Sequence, residues 1–98
     1  MNRIPYKERE KVYTNALIAN GDKIQNIVAI EELSECIKEV CKVMRGKGNM
    51  DHLAEEVADA TIVLEQVRLF FGINETVSRK IDEKIQRLNN DLQRSVSR

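Results

Sequence analysis

Residues 22–71 read DKIQNIVAIEELSECIKEVCKVMRGKGNMDHLAEEVADATIVLEQVRLFF, and this stretch decides the fold. On both sides of a short break, Gly46-Lys47-Gly48-Asn49, apolar residues recur three and four positions apart. That is the spacing of a helix with one packed face. Before the break the stripe is Ile30, Leu33, Ile37, Val40, Cys41 and Met44; after it, Leu53, Val57, Ala60, Leu64, Val67 and Phe71. Asp22 with Gln25 three residues later resembles a capping box. The spacing therefore predicts one helix from Asp22 to about Arg45, with Gly46 just past its end. A second helix opens at a cap on Asn49 or Asp51 and ends before Gly72. The two form an antiparallel hairpin.

Outward from the hairpin, the punctuation is equally clear. Pro5 suits a helix start and Gly21 a helix end, and Tyr6, Tyr13, Ala16 and Leu17 give the intervening helix an apolar side. A last helix begins near Asn74 and carries Val77, Ile81, Ile85, Leu88 and Leu92; residues 1–5 and 95–98 are expected to fray. No alternating strand pattern, internal repeat or low-complexity segment is present. The expectation is all-α: four helices with short connections, packed as a bundle in a single domain over residues 1–98. A core this small makes oligomerisation reasonable.

Sixteen basic and sixteen acidic residues cancel, which gives no support to non-specific nucleic-acid or membrane binding. With no apolar run near 18 residues and no basic start leading into a hydrophobic stretch, the reading expects a cytoplasmic protein. Cys36 and Cys41 lie five apart on one predicted helix, point in different directions and read as free thiols. The cancellation hides segregation: Glu31–Glu65 holds nine acidic and four basic residues, whereas Thr76–Arg98 holds six basic and three acidic.

The acids are concentrated in Glu31-Glu32-Leu33-Ser34-Glu35 and Glu56-Val57-Ala58-Asp59. Within each, two carboxylates three residues apart share a helix face: Glu32 with Glu35, Glu56 with Asp59. Ile24, Ile27 and Val28 precede the first set on its own side, and Val63 and Phe70 follow the second. Carboxylates beside apolar surface are costly to bury without a partner. In a hairpin turning near residue 48, Glu35 falls level with Asp59 and Glu39 with Glu56, while Glu32 lies one to two turns away. Gathered carboxylates repel one another unless a cation sits among them, and an oxygen-only donor set favours Mg2+ or Mn2+. The other reading is a solvated or ion-paired face, and spacing alone leaves both open. The lone histidine, His52, reads as a surface residue at a helix start; the Glu-x-x-His pairs of di-iron bundles and the Cys/His set of structural zinc are missing.

On the last helix Lys80, Lys84, Arg87, Asp91 and Arg94 flank the apolar stripe. They can contact phosphate oxygens, or pair on the surface with Asp82, Glu83 or Asp91. Phosphate-binding glycine loops and a Ser/His/Asp set are absent, and four aromatic residues are too few for a nucleic-acid stacking platform.

Glu31-Glu32-x-x-Glu35, a spacer of twenty residues and Glu56-x-x-Asp59 together resemble the signature of the all-α nucleoside triphosphate pyrophosphatases, the MazG-like family. Gln25 with Ala29-Ile30-Glu31-Glu32-Leu33-Ser34-Glu35, Glu55-Glu56-Val57-Ala58-Asp59, and Lys84-Ile85-x-Arg87-Leu88 are similar to its successive helices. The resemblance spans about residues 12–92. It implies a MazG-type fold completed by oligomerisation as a homodimer or homotetramer, with sites near subunit interfaces. It also implies Mg2+, with Mn2+ as a substitute, held by Glu32, Glu35, Glu56 and Asp59. The implied reaction is hydrolysis of a nucleoside triphosphate to a monophosphate and pyrophosphate. Glu31 and Glu35 would be catalytic acids that orient water, and Lys80, Lys84 and Arg87 would bind substrate. The chain departs from better-defined relatives in having no tryptophan and few aromatics. The base pocket is therefore unidentified; Tyr13, Asn15 and Phe70 are no more than candidates, and a structural role is the favoured reading of each. Two alternatives stand beside the enzyme: a non-catalytic helical oligomerisation or interaction protein, and a nucleotide-binding relative without turnover.

Overall fold

The computed structural model describes residues 3–96. They form four helices: α1 (Tyr6–Asn20), α2 (Asp22–Met44), α3 (Met50–Phe70) and α4 (Asn74–Val96). Among the described residues there is no strand. The ends lie where local chemistry puts them. Asn49 caps α3 by accepting the His52 N–H at 2.7 Å. Gly46 follows α2 at φ +74°, a conformation that glycine alone adopts freely. Pro5 sits just outside α1 as its N-cap, with extended φ and ψ.

One local expectation is corrected. The residue preceding α2 is Gly21, and Asp22 accepts from the neighbouring Lys23 N–H instead of closing a capping box. Gln25 does not reach back; it is buried in the packed face of α2. Packing of the amide against the neighbouring helices outweighs a cap that water can supply.

α2 and α3 pair as the hairpin, α1 packs on α2, and α4 meets α3 near its own start. Gln25, Ala29 and Glu39 of α2 and Ala60 and Val63 of α3 are buried. Residues 25, 29, 32, 36, 39 and 43 share one face of α2 by spacing, and all are buried or half-buried. That face is therefore the seam, and it is not the predicted stripe. Ile30, Ile37 and Met44 are 65%, 65% and 81% exposed, and Val40 and Cys41 are exposed too; only Leu33 of that stripe is half-buried. On α3 the predicted stripe splits, with Ala60 buried, Leu53 and Val67 half-buried, and Val57, Leu64 and Phe71 exposed. The seam combines small residues, Ala29 and Ala60, with the longer Gln25, Glu32 and Glu39.

The expected bundle is likewise incomplete within one chain. No residue of α4 is buried, and Ile81, Ile85, Leu88 and Leu92 are all exposed. The helix extends through Val96; of the residues expected to fray, 1–2 and 97–98 lie outside the described residues. The Cα radius of gyration is 16.8 Å, against about 13 Å for a compact domain of this length. The chain is a hairpin with two further helices attached at its open end. No helix among the described residues is long and apolar enough to cross a membrane.

Candidate metal centre

The hairpin brings Glu32 of α2 to Glu56 and Asp59 of α3, with one carboxylate oxygen from each within 4.8 Å of the others. Glu32 and Glu56 are half-buried and Asp59 is exposed, so the cluster opens to solvent on one side. The Glu32 carboxyl is held above its ordinary value. Burial is the largest cause, followed by the negative charges of Asp59 and Glu56, a hydrogen bond with Asp59, and the charge of Glu31. Glu56 Oε2 is buried with no hydrogen-bond partner among the described residues. No lysine or arginine among them forms an ion pair with these three acids.

The donor set fits a hard divalent cation. It is all oxygen, it is anionic, and it includes a buried oxygen without a donor. Such an oxygen carries a desolvation cost that a coordinated cation would offset.

Glu35 lies outside this group. Its carboxylate is exposed, 3.5 Å from Lys38 on the next turn of the same helix. Glu31 is exposed beside Glu32. Glu39 is only 3% exposed, and the residue it meets on α3 is His52, one turn before Glu56. His52, read from the sequence as a surface residue at a helix start, is exposed in the first turn of α3, and its ring lies between Glu39 and Glu56. His52 Nδ1 is 3.2 Å from Glu39 Oε2, and His52 Nε2 is 3.4 Å from Glu56 Oε1. The i, i+4 spacing of His52 and Glu56 was the available signal.

Lys80, Lys84 and Arg87 are exposed on α4 and carry no ion pair among the described residues. The surface pairs on that helix are Arg79 with Glu83 at 4.0 Å and Arg94 with Asp91 at 3.5 Å. Of the base-pocket candidates, Tyr13 is buried and donates to Glu65, Phe70 is half-buried and Asn15 is exposed. Cys36 and Cys41 are free, the first half-buried and the second exposed.

No protein-family model, no curated protein and no solved structure matches the chain.

Proposed function

We propose that this chain is a MazG-like pyrophosphohydrolase, which uses Mg2+ to cleave a nucleoside triphosphate into a monophosphate and pyrophosphate. The observation that carries the reading is the meeting of Glu32, Glu56 and Asp59 from two helices, with no lysine or arginine among them. Exposed acids are common on helices, but acids gathered across a seam and partly withdrawn from water need a counter-charge.

Glu32, Glu56 and Asp59 would hold the cation, with Glu35 as a fourth ligand from the adjacent turn. The Glu35–Lys38 contact is exposed, and such a pair is worth less than about 1 kcal/mol, too little to hold Glu35 away. Bound there, Mg2+ supplies a Lewis acid for the phosphates and lowers the pKa of water. The chain's own groups do the rest. Glu31 and Glu35, accessible beside the cluster, take a proton from the attacking water. Lys80, Lys84 and Arg87 answer the charge that builds on the phosphate oxygens.

The second component of the proposal is a homodimer or homotetramer, and the face of α4 favours it. Ile81, Ile85, Leu88 and Leu92 form one apolar stripe that no described residue buries; each is about half exposed and would gain on the order of 1 kcal/mol on full burial. A second copy covering that stripe would also decide what the flanking Lys80, Lys84 and Arg87 face. The same stripe favours the non-catalytic interaction protein if turnover is absent.

A panel of ribo- and deoxyribonucleoside triphosphates with Mg2+, read out as pyrophosphate, tests the activity. Release from at least one substrate, abolished by EDTA, is expected. Binding of Mg2+ and nucleotide without release would assign a binding protein, and neither binding nor release would assign an interaction module. Light scattering after gel filtration should give at least twice the chain mass; a monomer would sink the assembly.

A further inference from the structure

The acid cluster has a neighbour that its ligand chemistry does not use. Glu39 is among the most deeply buried side chains of the described residues, yet it is a carboxylate. Its nearest cation, the Lys42 amine, is 3.9 Å away and half-exposed, which is a weak contact. Its short partner is His52, at 3.2 Å. The turn closes over it: a Cβ on Gly48 would lie 2.6 Å from Val43 Cγ2 and 3.3 Å from Glu39 Oε1. A Cβ there would force the Val43 side chain to move, so glycine lets the turn lie against the Glu39 carboxylate.

His52 is fixed from two sides. Its backbone N–H is held by the Asn49 cap, in the first turn of α3. Its ring stands between Glu39 on one nitrogen and Glu56 on the other, 3.2 Å and 3.4 Å away. His52 is not among the residues that converge on the cation cluster. The ring lies beside Glu56 Oε1, and Glu56 Oε2 is the buried oxygen with no partner.

We propose that His52, anchored by Glu39, is a positioning residue for the cation centre: it orients the Glu56 carboxylate for the ion. Groups that orient a ligand in this way typically change metal affinity about 10- to 100-fold when removed. The proposal rests on the cation-site reading above. A merely structural role, pinning the turn of the hairpin, would move stability and leave the affinity of the folded protein unchanged.

The test is Mn2+ binding to the full chain, followed by electron paramagnetic resonance, for wild type, His52→Ala, His52→Gln and Glu39→Gln. Helicity and oligomeric state are checked in parallel. Expected is a loss of about 10- to 100-fold in affinity for His52→Ala. His52→Gln, whose amide can still donate to Glu56, should recover part of it, and Glu39→Gln should show a smaller loss. Equal affinities for wild type and a folded His52→Ala overturn the proposal while sparing the metal centre. If His52→Ala does not fold, unchanged affinity in both near-isosteric variants overturns it equally. Wild type that binds no Mn2+ brings down the cation reading and this inference together.

Discussion

Asp59 and Glu65 lie six residues apart on α3, and the fold treats their carboxylates in opposite ways. Glu65 Oε2 accepts from Arg9 Nε at 3.0 Å and from Tyr13 Oη at 2.9 Å, tying α3 to α1. Both partners register the contact. The Arg9 guanidinium is pushed up chiefly by its hydrogen bond to Glu65, and the Tyr13 hydroxyl is pushed up first by burial and then by Glu65. Charge there is settled within the chain. At Glu32, Glu56 and Asp59 three acids face one another, one carboxyl is driven above its ordinary range, and no arginine enters. The chain can supply an arginine where an acid only needs a partner. The seam acids Glu32, Glu56 and Asp59 have no lysine or arginine paired with them among the described residues.

The sharpest break of this contrast is Asp59→Asn. If the acids hold the ion, pyrophosphate release should fall by roughly 100-fold or more, since even residues that merely orient a metal ligand cost about 10–100-fold. Stability without metal should stay level or rise, because one like-charge repulsion is gone. Unfolding of the variant would instead make Asp59 a structural partner and erase the distinction from Glu65.

Glu65→Gln should do the reverse. Loss of charge-assisted bonds costs about 1.5–3 kcal/mol in urea unfolding, with Mn2+ affinity and turnover within about twofold of wild type. A large fall in metal affinity would show the two acidic sites to be coupled. Tyr13→Phe should cost less, about 1 kcal/mol, and carries a pH signature. A hydroxyl whose pKa is raised by folding contributes stability below the ordinary tyrosine value and loses it as pH rises through the raised one. The wild-type advantage over Tyr13→Phe should therefore vanish in alkali.

Glu32 gives the corresponding test at acid pH. Its folded-state value lies above the ordinary 4.5, so between the two the folded chain binds more protons than the unfolded. The Glu32 contribution is thus present below the ordinary value and lost as pH rises through the raised one. Without metal, wild type should lose stability relative to Glu32→Gln across that window. Saturating Mg2+ should remove the loss, because the ion takes over the role of the proton. A difference curve that is flat with pH, or that slopes the other way, would mean that Glu32 is solvated like any surface acid.

The helices themselves were legible because their ends are local events: Pro5, Gly21, Gly46, Asn49 and Gly72 act on their own neighbours in sequence. The partners across the seam were not. Periodicity shows that Ile30, Ile37, Val40 and Met44 share a face, but not whether this chain covers it. The face it does cover carries Gln25, Glu32 and Glu39, which no hydropathy pattern would mark as inside. Register slipped for a related reason. Side-chain periodicity does not fix how far one arm slides along the other, and the observed pairing brings Glu32, one turn before Glu35, to Glu56 and Asp59. His52 was legible as a helix-start residue. Its contact with a buried carboxylate on the other arm depends on Gly48 closing the turn, a three-dimensional fact with no one-dimensional trace.

The smallest expected effect concerns the basic residues of α4, which stand outside the contrast because their helix meets the hairpin only near its start. Lys84→Ala removes a charge that has no partner among the described residues, so folding should change within about 0.5 kcal/mol. If Lys84 reaches substrate phosphate, KM should rise a few-fold while kcat stays near wild type, the mark of binding energy spent equally on substrate and transition state. If both constants are unchanged, the phosphate contacts belong to Lys80, Arg87 or another residue. A kcat that falls along with the gel-filtration mass would mean that Lys84 acts through assembly. Its effect would then travel with Leu88→Asp, which puts a charge into the apolar stripe directly.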